Sequence, residues 1–246
     1  MLRTVTLAVE DSVATVTLDR PAVGNSVNEL MATELRETCE GVEADPGVRV
    51  VLLTGRGDAF CLGTDGPSPV ENLRVADAVA SVRKPVIAVL NGDAVDQGLE
   101  IALACDIRVA STCARMGLTH LVRGMIPWDG GTQRLPRLVG IGRAMEMLFT
   151  SRLLDAGEAL EAGLVNELAD ADDLRTRSRA LAGTVAGQGP IAARYLKEAL
   201  LKGADMTLEQ GLRLEADLNI ILQSTADRAE GVRSFLERRP PIYRNE

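Results

Sequence analysis

Residues 85–110 read Pro85-Val86-Ile87-Ala88-Val89-Leu90-Asn91-Gly92-Asp93-Ala94-Val95-Asp96-Gln97-Gly98-Leu99-Glu100-Ile101-Ala102-Leu103-Ala104-Cys105-Asp106-Ile107-Arg108-Val109-Ala110. The run 86–90 is apolar without a break and ends in the turn pair Asn91-Gly92, so it reads as a buried strand. After Gly98 the run 99–105 has helix-forming content, and 106–110 returns to strand character. Strand, helix and strand in one short stretch favour a layered α/β fold. Upstream, Val5, Leu7 and Val9 and then Val13, Val16 and Leu18 flank Glu10-Asp11-Ser12, which predicts a hairpin ending at Asp19-Arg20-Pro21. Met31, Leu35, Cys39 and Val42 form one helical stripe that Asp45-Pro46-Gly47 stops, with a strand over 48–54 behind it. Downstream of Arg143 the pattern is helical: 144–149, 155–164, 174–186, 191–201 and 208–222 are separated by glycines and read as a helical appendage.

A chain of 246 residues with 46% hydrophobic content makes one large domain, or one plus an appendage. It buries roughly 70–75% of its unfolded surface without staples. The balance of 27 basic against 35 acidic residues, −8 in all, argues against nucleic acid or an anionic membrane as partner. The cysteines at 39, 61, 105 and 113 form no CxxC pair and have a single histidine beside them, which argues against a metal site or a disulfide scaffold. No secretion-signal pattern opens the sequence and no run approaches eighteen apolar residues, so the expectation is a cytoplasmic protein with reduced thiols.

Gly55-Arg56-Gly57-Asp58-Ala59-Phe60 follows a predicted strand but lacks the third glycine of a dinucleotide cradle, and Pro67 and Pro69 block the helix it needs. No Gly-x-Ser-x-Gly elbow is present. Glu100 stands out as a carboxylate inside an apolar helix, either on a half-exposed helix face, in a structural ion pair, or as a chemical group. His120, the only imidazole, is either a surface or satisfied core residue or a proton-transfer group suited to neutral pH. Asp129 before Gly130-Gly131 is either an Asx turn or a further acid/base candidate.

Taken together, Ala59-Phe60-Cys61-Leu62-Gly63-Thr64-Asp65, the segment Asn91-Gly92 through Gln97-Gly98-Leu99-Glu100 to Ala104-Cys105-Asp106, and Gly124-Met125-Ile126-Pro127-Trp128-Asp129-Gly130-Gly131-Thr132-Gln133-Arg134-Leu135-Pro136 resemble the enoyl-CoA hydratase/isomerase (crotonase) superfamily. Leu18-Asp19-Arg20-Pro21, Asn25-Ser26-Val27-Asn28 and the closing Asp227-Arg228-Ala229-Glu230-Gly231-Val232 fit the same pattern, so the resemblance covers nearly the whole chain. It implies an α/β spiral of ββα units over 1–190 with the acyl-CoA site. A C-terminal helical oligomerisation region over 191–246 would follow, building a homotrimer or hexamer.

The resemblance also implies an acyl-CoA thioester substrate, no cofactor beyond the coenzyme A it carries, and an enolate held by the backbone N–H groups of Thr64 and Gln97. Thr64 stands for a usual alanine, and Asp96-Gln97 for two usual glycines. Glu100 matches the first hydratase glutamate, while His120 occupies the position of the second. Ser26, Val27, Gly63, Asp65 and Gly98 are implied as substrate and CoA contacts; Gly24 replaces a frequent basic residue, which leaves Arg233, Arg238 and Arg239 as candidates for the phosphates. The leading expectation is hydration of a 2-enoyl-CoA by Glu100 and His120. The alternatives are an enoyl- or dienoyl-CoA isomerase, or an aromatic or cyclic acyl-CoA enzyme, using Asp129, and a non-catalytic acyl-CoA-binding subunit. The loop Gly66-Pro67-Ser68-Pro69 is expected to shape substrate choice.

Overall fold

The computed structural model describes residues 3–66 and 70–246, so most of the Gly66–Pro69 loop lies outside the described residues. In chain order the elements are β1 (Val5–Glu10), β2 (Val13–Leu18), α1 (Glu29–Ala44), β3 (Val50–Gly55), β4 (Ala59–Cys61), α2 (Val70–Leu73), α3 (Ala76–Ser81), β5 (Val86–Leu90), β6 (Asp93–Val95) and α4 (Gln97–Leu103). There follow β7 (Ile107–Ser111), β8 (Met116–Gly117), α5 (Gly131–Val139), α6 (Ile141–Thr150), α7 (Ala156–Glu161), β9 (Glu167–Ala169), α8 (Ala171–Ala186), α9 (Pro190–Gly203), α10 (Leu208–Gln223) and α11 (Ala226–Glu237).

The apolar runs that stand out in the sequence build one sheet in the order β1-β2-β3-β5-β7-β9. Only the β1–β2 hairpin is antiparallel; every other pairing is parallel, as crossovers through helices require. Both faces are covered, which is why β3 and β5 are apolar at almost every position rather than alternating. Ile87, Val50, Leu52 and Val109 meet α8 on one face, while Val51, Leu53, Ala88 and Leu90 meet the larger core on the other, to which α1 and α4 contribute Leu35 and Ile101. Asn28 caps α1 by accepting the Met31 amide at 2.9 Å.

A second, parallel sheet, β4-β6-β8, escapes the sequence reading because its strands are only three, three and two residues long. Periodicity needs a longer window than that. Helix α5 also goes unread: Gly130-Gly131 and Pro136 look like turn residues, yet the structure starts the helix at Gly131 and carries Pro136 inside it. Helix α8 lies on the sheet, whereas α9 and α10 pack against each other and α10 against α11. No helix among the described residues is long and apolar enough to cross a membrane.

Candidate active site

The chemistry-bearing residues emerge from the carboxyl ends of the three short strands, the edge at which parallel α/β sheets place ligands. Strand β4 runs into Gly63-Thr64, β6 into Asp96 and the first turn of α4, and β8 into Thr119 and the 3-10 turn His120–Arg123. Thr64 pairs with Val27: the Val27 amide donates to the Gly63 carbonyl at 2.8 Å and the Asp65 amide to the Val27 carbonyl at 2.8 Å. Neither the Thr64 amide nor the Gln97 amide has a backbone acceptor among the described residues. A free amide at the head of a helix favours negative charge in front of it. The close approach of α4 to β4 demands glycine at 98, where a Cβ would meet the Cys61 carbonyl oxygen at 2.0 Å.

Glu100 is 0% exposed. Its Oε1 accepts the amides of Asp129 and Gly131, each at 2.8 Å, and its Oε2 has no hydrogen-bond partner among the described residues. Gly131 is required here too, since a Cβ would press to 3.0 Å against that same Oε1. Burial pushes the Glu100 carboxyl up to about 7, with the charges of Asp129 and Asp96 adding to the rise and the two amide donors opposing it. His120, also buried, places Nε2 at 3.7 Å from Glu100 Oε2. Burial lowers the imidazole's affinity for a second proton; Asp96 works against that shift and Arg123 with it. A carboxylic acid drawn toward neutrality beside an imidazole is an arrangement suited to exchanging one proton near pH 7.

Asp129 is likewise 0% exposed. Its Oδ2 accepts the amides of Val75 at 2.9 Å and Ala76 at 3.1 Å and the Gln97 side-chain Nε2 at 3.0 Å, while Oδ1 has no hydrogen-bond partner among the described residues. Gln97 Nε2 also donates to the Leu73 carbonyl at 2.5 Å. Its side chain is thereby turned into the wall between α2, α3 and the Asp129 loop.

Comparison with known proteins follows the same lines. Residues 8–246 match the family model described as enoyl-CoA hydratase/isomerase. The chain belongs to that family. Among its relatives, the (E)-benzylidenesuccinyl-CoA hydratase of Thauera aromatica is 41% identical over 98% of each chain. The crotonyl-CoA hydratase of Syntrophomonas wolfei is 34% identical over 94% of each. The crystal structure of enoyl-CoA hydratase from Bacillus anthracis superposes with a TM-score of 0.97 at 36% identity, covering 99% of this chain and 100% of that one.

The remaining residues expected from the enoyl-CoA hydratase/isomerase pattern fall into two groups. Ser26, Val27, Gly63, Asp65 and Gly98 surround the Thr64 and Gln97 amides: Arg20 donates to the Ser26 carbonyl at 2.5 Å and pairs with Asp65 at 2.7 Å, clamping the loop from behind. Of the tail arginines, Arg239 is occupied by Glu230 and Glu237, each at 2.6 Å, whereas Arg233 and Arg238 are exposed on α11 and its cap. A cavity of about 1150 Å³ lies elsewhere, between the C-terminal end of α4 and helices α9 to α11, and neither Glu100 nor His120 lines it. Sequence reading passes over Asp96, Thr119 and Arg123, which meet behind His120. The one local signal is an aspartate in place of the usual glycine at 96.

Proposed function

We propose that this enzyme adds water across the double bond of a 2-enoyl-CoA thioester. The observation that carries the reading is the unpartnered Oε2 of Glu100 facing His120 Nε2 at 3.7 Å, too long for a direct hydrogen bond and suited to one water bonded to both. As the water oxygen bonds to Cβ, the π electrons move onto the thioester oxygen. The amides of Thr64 and Gln97 stabilise that oxyanion in a water-poor pocket. One member of the Glu100–His120 pair takes the water's proton and the other delivers a proton to Cα, so the pair ends with the protons it began with. Asp129 and Gln97 fix the wall against which the acyl group lies. The activities of the relatives support a 2-enoyl-CoA as the substrate class, with crotonyl and benzylidenesuccinyl groups as the first acyl groups to try.

The chain acts as a homotrimer or hexamer. In support, the C-terminal helices leave Leu208 and Phe235 79% and 83% exposed, and α6 leaves Phe149 73% exposed, more large apolar surface than a monomer keeps. Light scattering on the purified protein checks this.

The deciding experiment incubates the protein with crotonyl-CoA and with (E)-benzylidenesuccinyl-CoA in heavy water and weighs the thioesters by mass spectrometry. Gain of one water is expected. Deuterium uptake without added water would replace hydration by isomerisation, and binding without any product would make this a non-catalytic subunit.

A further inference from the structure

Asp96 holds a backbone conformation that its residue type resists. At φ 52° and ψ −122° it lies where glycine sits freely and other residues enter only at an energetic cost. Such a conformation persists only where the surroundings impose it, and here they are the neighbours of His120. The buried Asp96 carboxylate accepts the Thr119 amide on Oδ1 at 2.5 Å and Arg123 on Oδ2 at 2.6 Å. The same Oδ1 stands 3.3 Å from His120 Nδ1, which is short of good hydrogen-bond alignment, yet Nδ1 has no other partner among the described residues.

We infer that Asp96 is a positioning residue for His120: it keeps the proton of the neutral imidazole on Nδ1 and thereby presents a bare Nε2 to Glu100 and the water between them. A neutral imidazole has one N–H and one acceptor nitrogen, and the hydrogen bond at one nitrogen decides the role of the other. With Asp96 at Nδ1, Nε2 can only accept. Resting on the hydratase reading, this assigns directions to the proton transfers. His120 Nε2 takes the proton of the attacking water, the Cβ–O bond forms, and Glu100 in its protonated form gives its proton to Cα as the enolate collapses. The imidazolium left behind faces the Asp96 anion and returns its proton to Glu100 through the next water. Arg123 limits how far Asp96 can raise the imidazole, and Asp96, Glu100, Arg123 and, beyond Glu100, Asp129 are the charged groups around the ring.

The test is direct because the chain has one histidine, so its imidazole nitrogens need no assignment. Long-range proton–nitrogen spectra of the free, ¹⁵N-labelled protein report the tautomer whether or not any substrate turns over. The expected spectrum has Nδ1 protonated and Nε2 bare, and Asp96→Gly, which suits the backbone at φ 52°, switches the proton to Nε2. Asp96→Asn, which keeps the shape but not the charge, lowers the imidazole's titration midpoint and serves where the glycine variant folds poorly. In turnover, Asp96→Gly lowers kcat at least tenfold with KM changed less than threefold, and its effect shrinks at least fivefold when made on top of His120→Glu. A native imidazole protonated on Nε2, a tautomer and midpoint indifferent to position 96, or an equal loss of kcat in both backgrounds would each overturn the inference. Absence of hydration altogether would overturn the function proposed above and leave the spectra to decide this one.

Discussion

The six-stranded sheet and the three-stranded sheet treat buried polarity in opposite ways. In the large sheet, Val50, Leu53, Ile87 and Leu90 are buried among apolar neighbours on both faces, and its backbone ladders run in regular parallel register. In the small one the strands are barely long enough to pair, and the residues just past their ends are buried acids, an amide and an imidazole. Of the five buried side-chain polar atoms without a hydrogen-bond partner among the described residues, four are Gln97 Oε1, Glu100 Oε2, Asp129 Oδ1 and His120 Nδ1, the last with only the Asp96 carboxylate nearby at 3.3 Å. An orphaned polar atom costs about 1–3 kcal/mol, so the small sheet concentrates unfavourable terms that the large sheet must offset. Substitutions in one sheet should therefore affect stability, and in the other turnover.

The largest effect that would expose this division is on Glu100. Glu100→Gln keeps an acceptor for the Asp129 and Gly131 amides but can neither take nor give a proton at Oε2. On the scale of acid–base catalysis, hydration of crotonyl-CoA falls about 10³-fold. Steady-state kinetics with a folded variant checks it, and turnover near the native rate would remove Glu100 from the chemistry. In the other sheet, Ile87→Ala opens a cavity against α8 and costs about 2–5 kcal/mol of unfolding free energy. Denaturant melts measure that loss, while kcat well below the melting temperature stays within about twofold of the native value. If Ile87→Ala disabled catalysis in a fully folded protein, the separation of the two sheets would not hold.

A subtler effect joins the two regions through pH. The Glu100 carboxyl lies above its unfolded value of 4.5, at about 7, so the folded state binds its proton more tightly. Its contribution to stability is thus greatest below pH 4.5 and is lost as pH rises through about 7, amounting to about 3 kcal/mol once ionised. Glu100→Gln escapes that loss. It should melt like the native protein at about pH 4 and several degrees higher at about pH 9, so the variant that loses activity gains alkaline stability.

How much of this was legible follows the same division. The strands of the large sheet announce themselves as apolar runs of five or six residues, and α1 as a stripe ending at Asp45-Pro46. Strands β4, β6 and β8 are too short to carry a period, and only the motif resemblance marked the Thr64 and Gln97 amides at their ends. Glu100 could be singled out as a charge in an apolar helix, and its 0% exposure rules out the half-exposed helix face that its sequence context also allowed. Its pairing with His120, by contrast, depends on two crossovers that bring β6 and β8 side by side, which no local pattern encodes. Asp96 is visible in the sequence only as an aspartate where the pattern has glycine, because its importance lies in a backbone angle and in contacts with Thr119 and Arg123 more than twenty residues away.

The smallest effect concerns Asp129 and decides between hydration and the isomerase alternative. Its Oδ2 is occupied by two amides and the Gln97 side chain, a bracing arrangement, while its charge helps hold the Glu100 carboxyl high. Asp129→Asn leaves an oxygen to accept from Val75 and Ala76 but withdraws the charge, so the Glu100 carboxyl should fall from about 7 toward its ordinary value. The limb of the kcat–pH profile set by Glu100 then moves to lower pH, by less than about one unit, and kcat at its optimum drops by no more than about tenfold. A proton-transferring Asp129 predicts something different: near-complete loss of turnover at every pH, with the Glu100 limb no longer measurable. The pH profile of this one variant therefore distinguishes a wall residue that tunes its neighbour from a group that handles the proton itself.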